Sequence, residues 1–332
     1  MTTDAATAVA HPNIALIKYW GKRDEEWMIP AVDSLSLTLD VFPTTTTVRL
    51  APAGQPDRVL LDGRPAEGEI EKRVLVFLDM LRARTGRREA AVVDTRNTVP
   101  TGAGLASSAS GFAALAAAGA AAFGLDAGPA ALSRLARRGS VSAARSIFGG
   151  WAICHAGSGS GAEADLGSFA EPIAAPDFDP ALVIVVLNAG PKAVSSRAGM
   201  RRTTETSPLY RAWADAGRAD LAEMRTALAR ADLDQVGEIA ERNALGMHAT
   251  MLAARPAVRY LSAATLTVLD AVLALRAAGT SAYATMDAGP NVKILCSRTD
   301  AALVADEMRA AAPGCRVLTA HRGPGVRLEA VR

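Results

Sequence analysis

A glycine–serine segment, Asn97–Ser110 (NTVPTGAGLASSAS), runs without interruption into an apolar stretch, Gly111–Phe123. Gly102 and Gly104 let backbone N–H groups approach an anion closely. A helix starting just beyond them adds unpaired N–H donors and a partial positive charge. The hydroxyls of Ser107, Ser108 and Ser110 can bond phosphate oxygens or sit on a magnesium ion. No lysine follows as in GxxxxGK[ST], and Ser107 stands where GxGxxG has its third glycine. Two readings stand on the residues alone: a phosphate loop, or a small-residue helix start where two elements pack closely.

Three charged residues stand where charge is unexpected. Lys18 interrupts the apolar run NIALIKYW, so it either points to solvent or faces a partner in a site. Tyr19, Lys22 and nearby Asn13 make the second reading an anion wall. Asp287 sits in TMDAGPN, where Gly289 and Pro290 tighten a turn. Its carboxylate either caps its own backbone or is presented at a strand end as a base or orienting group. Arg145, in GSVSAARSIFGG, has the surroundings for bidentate carboxylate or phosphate binding. Ser195, Ser196 and Arg197 repeat that theme and could open a helix. Arg137 and Arg138 read as solvated helix arginines. His155, His248 and His321 have no metal-ligand spacing and read as structural, and His11 has no evident partner. No GxSxG elbow supports hydrolase chemistry.

The elements that must position these groups follow from pattern. Residues 1–10 read as a loose tail. Strands are expected at Asn13–Trp20, Leu35–Val41, Thr45–Leu50, Val59–Leu61 and Ala90–Thr95. A helix over Glu69–Thr85 should end at Gly86. Gly111–Phe123 is apolar all round and should be a buried helix, followed by a second over Pro129–Arg138. Ser158–Gly161 reads as a surface loop, and Leu182–Asn188 as a buried strand. Long helical patterns follow at Ser207–Arg230, Leu233–Leu252 and Ser262–Ala278. Strands at Ala282–Met286 and Val292–Cys296, a helix at Ala301–Ala311 and a strand at Arg316–Ala320 close the chain. The texture changes near 185–195, which divides the chain into an N-terminal lobe over 1–190 and a C-terminal lobe over 191–332.

Composition excludes several classes. The chain has 332 residues, half of them hydrophobic, with a formal net charge of +2. That charge is too small to argue for nucleic acid or an anionic membrane surface as partner. Three cysteines without a CxxC pair argue against a disulfide framework or structural zinc, and fit a reducing, cytoplasmic setting. The start has no basic region followed by an apolar one, so no signal peptide is expected.

Taken in order, HPNIALIKYWGKRDE, VPTGAGLASSASGFAALA, RRGSVSAARSIFGG, VSSRAGM and MDAGPN resemble the diphosphomevalonate (mevalonate diphosphate) decarboxylases of the GHMP kinase superfamily. The matching segments span residues 11 to 297. The glycine–serine loop alone would indicate only the superfamily; NIALIKYWGK with the DAGPN turn is more specific. The resemblance implies a two-lobe α+β fold, with a ribosomal-protein-S5-like N-terminal lobe and a C-terminal α/β sandwich, and a site between them. It implies ATP-dependent decarboxylation of mevalonate 5-diphosphate to isopentenyl diphosphate, ADP, phosphate and CO2, with Mg2+, in a homodimer. It assigns catalysis to Asp287, Lys18 and Arg145. Substrate contacts fall on Asn13, Tyr19, Lys22, Ser140, Arg145, Ser196 and Arg197. The ATP loop falls on Pro100, Thr101, Gly102, Ala103, Gly104, Leu105, Ala106, Ser107 and Ser108, with Ser108 on the metal.

The chain departs from the family pattern in two places. Val141 stands where GSGSA has its second glycine, and valine stiffens that position. Gly102 replaces the more usual alanine. Three alternatives follow from the same residues: a decarboxylase of mevalonate 5-phosphate, a kinase that stops at the 3-phosphate, and a non-catalytic nucleotide-binding regulator. Lys22 and Arg197 favour the larger anion, and the Asp287–Lys18–Arg145 set disfavours the other two.

Overall fold

The computed structural model describes residues 4–52, 54–98, 107–175, 177–187 and 193–329. The chain opens with β1 (Ala5–Ala10), β2 (Asn13–Ile17), a small hairpin of β3 (Lys22–Asp24) and β4 (Ile29–Pro30), then β5 (Ser34–Thr38) and β6 (Thr44–Ala51). A second hairpin, β7 (Arg58–Leu61) and β8 (Arg64–Pro65), leads to α1 (Gly68–Thr85), β9 (Ala90–Asn97), α2 (Ser107–Ala122) and α3 (Pro129–Gly139). A 3₁₀ helix (Val141–Ile147) precedes β10 (Trp151–Cys154), α4 (Gly161–Gly167), β11 (Ala170–Pro172) and β12 (Ala181–Val186). Four helices follow: α5 (Ser196–Thr206), α6 (Tyr210–Ala229), α7 (Leu233–Leu252) and α8 (Ala263–Ala277). The chain ends with β13 (Ala282–Met286), β14 (Val292–Cys296), α9 (Ala301–Ala311), β15 (Arg316–Ala320) and β16 (Arg327–Glu329).

Three main sheets organise these elements. One has the order β16-β1-β6-β9-β7-β8, a second β11-β10-β5-β2 and a third β13-β14-β12-β15. The first is backed by α1, α2 and α3 around Phe77, Leu81, Phe112 and Phe123. The second shares a core with α6, α7 and the third sheet, in which Ile14, Leu16 and Leu37 meet Leu182, Met224 and Ile239. β2, which precedes Lys18, is therefore packed against the helices of the C-terminal half. Helices α8 and α9 cover the other face of the third sheet. No described helix is long and apolar enough to cross a membrane.

Several expectations change. Ala5–Ala10 is not a loose tail but an internal strand, paired with β6 and β16. Its alanines are poor strand formers, yet their small side chains let the alanine-rich α2 lie close against the sheet. Tertiary packing outweighs propensity there. Ser158–Ser160 is exposed loop as expected, and α4 starts at Gly161 with Ser160 as its N-cap. The long helix expected over Ser207–Arg230 begins only at Tyr210, with α5 before it. Arg137 is fully buried rather than solvated. It binds Asp165 and the carbonyls of Trp27, Met28 and Ser168, which ties the β3–β4 hairpin to α3. β12 pairs with β14 and β15 although it precedes residue 190, and the late strand β16 returns to the first sheet.

Candidate active site

Lys18 follows β2 directly after a register irregularity between Ala15 and Ile17. Such bulges re-aim a side chain, and here the Lys18 ammonium turns back to the Ala15 carbonyl at 2.8 Å. Its backbone N–H donates to Asn243 Oδ1 on α7 at 2.8 Å. Asn243 is itself held by Asp220 Oδ2 on α6 at 2.8 Å. Lys18 is thus buried and anchored at two points, and the solvent-facing reading of this residue falls.

Asp287 stands at the end of β13. Its Oδ1 accepts from Lys18 at 2.8 Å and its Oδ2 from Lys293 at 3.0 Å. The lysine side chains are only 2% and 1% exposed, the carboxylate 31%. The cations therefore grip it from the protein side and leave its remaining face open. Burial alone would raise the Asp287 pKa, but Lys18 and Lys293 outweigh it and hold the group far below the usual carboxylate range. Burial lowers Lys18 to about 8 against the pull of Asp287, and Lys293 and Arg145 add repulsion.

Arg145 is built in from the 3₁₀ helix. Its Nε donates to Ser36 at 2.9 Å, one terminal nitrogen to Ser34 at 2.5 Å and the other to Asn13 at 3.2 Å. Asn13 is fixed in turn through Ser146 Oγ at 2.8 Å and the Ser142 carbonyl at 3.0 Å. Among the described residues Arg145 has no carboxylate within ion-pair distance. A buried guanidinium surrounded by neutral partners is costly, so this region is suited to an incoming anion. The Tyr19 hydroxyl, buried and without a described partner, adds an unsatisfied donor.

Lys22, Arg197 and Arg73 form a second group of cations. The Lys22 ammonium contacts Glu25 at 3.0 Å, and Arg197 contacts Glu69 at 2.6 Å. Burial lowers the Lys22 pKa, with further repulsion from Arg197 and Arg73. Arg73 donates to the Gly139 carbonyl at 2.7 Å and lies over the Phe112 ring at 4.6 Å. Gly139 has no room for a side chain, since a Cβ would meet Phe112 at 2.0 Å. Ser140, next in the chain, donates to Ser108 Oγ at 3.4 Å. That contact joins this basic patch to the start of α2. Ser196 begins α5, with Ser195 as its N-cap. Pro100, Thr101, Gly102, Ala103, Gly104, Leu105 and Ala106 lie outside the described residues, as does the Ser107 side chain.

Sequence reading missed three residues here. Lys293 sits in a strand of apolar neighbours, and only the β13–β14 register brings it beneath Asp287. Arg73 lies on an otherwise ordinary amphipathic helix. His248, read as structural, is 2% exposed and hydrogen-bonds the Asp287 backbone. Burial, and secondarily Lys18, lower its pKa to about 4, so it is neutral at physiological pH.

A carboxylate flanked by ammonium groups can orient a hydroxyl, and a cationic patch beside a helix start can hold phosphates. With these sheets and helices, that defines a two-lobe α+β protein of the GHMP-kinase type. A sequence profile of the diphosphomevalonate decarboxylase-like N-terminal domain matches residues 10–166, and one of the mevalonate 5-diphosphate decarboxylase C-terminal domain matches residues 182–323. The diphosphomevalonate decarboxylase of Ganoderma lucidum is 37% identical over 321 residues, covering 89% of this chain and 78% of the relative. The human enzyme of the same name is 36% identical over 312 residues, covering 87% and 76%. The mevalonate diphosphate decarboxylase structure from Staphylococcus aureus superposes with a TM-score of 0.94 at 39% identity, covering 98% of each chain. A related structure in complex with MVAPP, AMPPCP and magnesium gives 0.93 at 43% identity, covering 98% of this chain and 99% of that one. The chain belongs to the diphosphomevalonate decarboxylase family.

Proposed function

We propose that the protein uses ATP to decarboxylate mevalonate 5-diphosphate, giving isopentenyl diphosphate, ADP, phosphate and CO2. The observation that carries this reading is the pairing of Asp287, gripped by Lys18, with the buried, anion-seeking Arg145. The substrate's tertiary hydroxyl donates to Asp287, which aims its oxygen at the γ-phosphorus. As the new O–P bond forms, the O–P bond to ADP breaks. The hydroxyl proton grows acidic during that step, so a weakly basic carboxylate suffices to accept or pass it on. Lys18 stabilises the charge developing on the transferred group. The C–O bond then breaks with its electron pair on phosphate, and the bond to the carboxylate carbon supplies the pair for the new double bond. Arg145 with Asn13 holds that carboxylate in the geometry for departure.

At the other end Tyr19, Lys22, Arg73, Ser140, Ser196 and Arg197 hold the diphosphate, which needs several cations at once. Pro100–Ser108, which leads in sequence into α2, would hold the ATP phosphates. Among the described residues no three His, Cys, Asp or Glu side chains gather as a metal cage. Mg2+ needs no such cage, since it takes phosphate oxygens, water and few protein ligands. Ser108 would be its protein ligand, and the bound ion would supply neutralising charge on the phosphates.

The division into lobes over 1–190 and 191–332 is part of this proposal, with β12 arguing for a boundary nearer 180. A homodimer is proposed from the family, and a cytoplasmic setting from three free cysteines, two of them buried.

One assay tests the function. Each mevalonate phosphate is incubated with ATP and Mg2+, and ADP and CO2 are measured together. Equal ADP and CO2 from the diphosphate is the expected result. CO2 from the monophosphate alone would overturn the choice of substrate, and ADP without CO2 would make the protein a kinase. Asp287→Ala should abolish turnover while ATP binding persists.

A further inference from the structure

Asp287 has two ammonium partners where one would neutralise it. Lys18 already supplies a full counter-charge at 2.8 Å. Lys293 adds a second at 3.0 Å from a side chain that is 1% exposed. What the second lysine adds is geometric. The two lysines bind different oxygens of the carboxylate. One bond would leave the broad terminal torsion of an aspartate free to turn; two bonds from different directions fix it.

The direction of the second bond is set by the sheet. Lys293 stands opposite Thr285 on β13 and Ile184 on β12, so its backbone is locked from both sides. Lys18 comes from the other sheet, at the end of β2. The Asp287 carboxylate is thus held between two elements that belong to different sheets.

We propose that Lys293 is a positioning residue for phosphoryl transfer, fixing the rotation of the Asp287 carboxylate so that its open face meets the substrate hydroxyl. The inference rests on Asp287 serving the transfer step. Lys293 acts through Asp287. The groups facing Asp287 are Lys18 from the end of β2, Lys293 from β14, His248 from α7 and Arg145 from the 3₁₀ helix.

The test is Lys293→Met, which keeps the apolar stem, with Lys293→Gln as a second variant if the first does not fold. The expected result is a fall in kcat of about 100-fold, with KM for ATP and for mevalonate 5-diphosphate near wild type. The acid limb of the kcat profile should rise by about 1–3 pH units, because Asp287 loses one of its two cations. A merely structural lysine would lower the melting temperature and leave kcat of the folded enzyme near wild type. A variant with wild-type kcat, or with reduced kcat on an unshifted profile, would overturn the proposal. Asp287→Asn is measured alongside. If it is fully active, the reading of Asp287 itself fails; if it is inactive while Lys293→Met behaves as wild type, only the role of Lys293 fails.

Discussion

Lys18 should give the enzyme a base limb near pH 8, far below that of an ordinary lysine. Burial lowers its pKa to about 8, with Asp287 opposing and Lys293 and Arg145 reinforcing the shift. The active form is the ammonium, so activity is retained below this pKa and lost as pH rises through it. Protonation falls from about nine-tenths at pH 7 to about 3% at pH 9.5, which predicts a roughly 30-fold loss in kcat/KM. Bound carboxylate and phosphates add negative charge nearby and raise the lysine pKa. The limb in kcat should therefore lie above the limb in kcat/KM. The assay is ADP release against pH at constant ionic strength. Lys18→Met should lower kcat by about 100- to 1,000-fold and abolish the limb. Lys22, whose pKa burial also lowers, is controlled by Lys22→Met, which should keep the limb. A base limb above pH 10, or one that survives in Lys18→Met, would refute the assignment.

Two further outcomes follow from the same contacts. Arg145→Lys cannot reproduce a fork that reaches Ser34, Ser36 and Asn13 at once; CO2 formed per ADP should drop below one, and an unchanged ratio would count against the carboxylate grip. Arg137→Met leaves Asp165 without its buried partner and should cost about 3–5 kcal/mol in urea unfolding; a smaller loss would mean that Arg138, which also reaches Asp165, compensates.

The legible parts of the fold were those with strong local signals. α7 and the paired strands β13 and β14 lie where periodicity placed them, and α1 ends on Gly86 with φ at 72°. β1 was illegible because alanine carries almost no strand signal of its own. The β3–β4 hairpin and α4 are too short for periodicity to register.

Within the site, the sequence by itself marked Lys18, Asp287 and Arg145, because a charge inside an apolar run or a tight turn stands out against its neighbours. It also carried the family, through motifs that keep their order along the chain. Only the tertiary structure decided where those charges point. The bulge in β2 turns Lys18 inward, Asn243 pins its backbone, and the β13–β14 register sets Lys293 beneath the same carboxylate. Residues 269 positions apart meet at 2.8 Å in the Lys18–Asp287 pair. Local pattern records which side of an element a residue occupies; the partner across the cleft is set by how separate sheets pack, and no spacing along the chain encodes that.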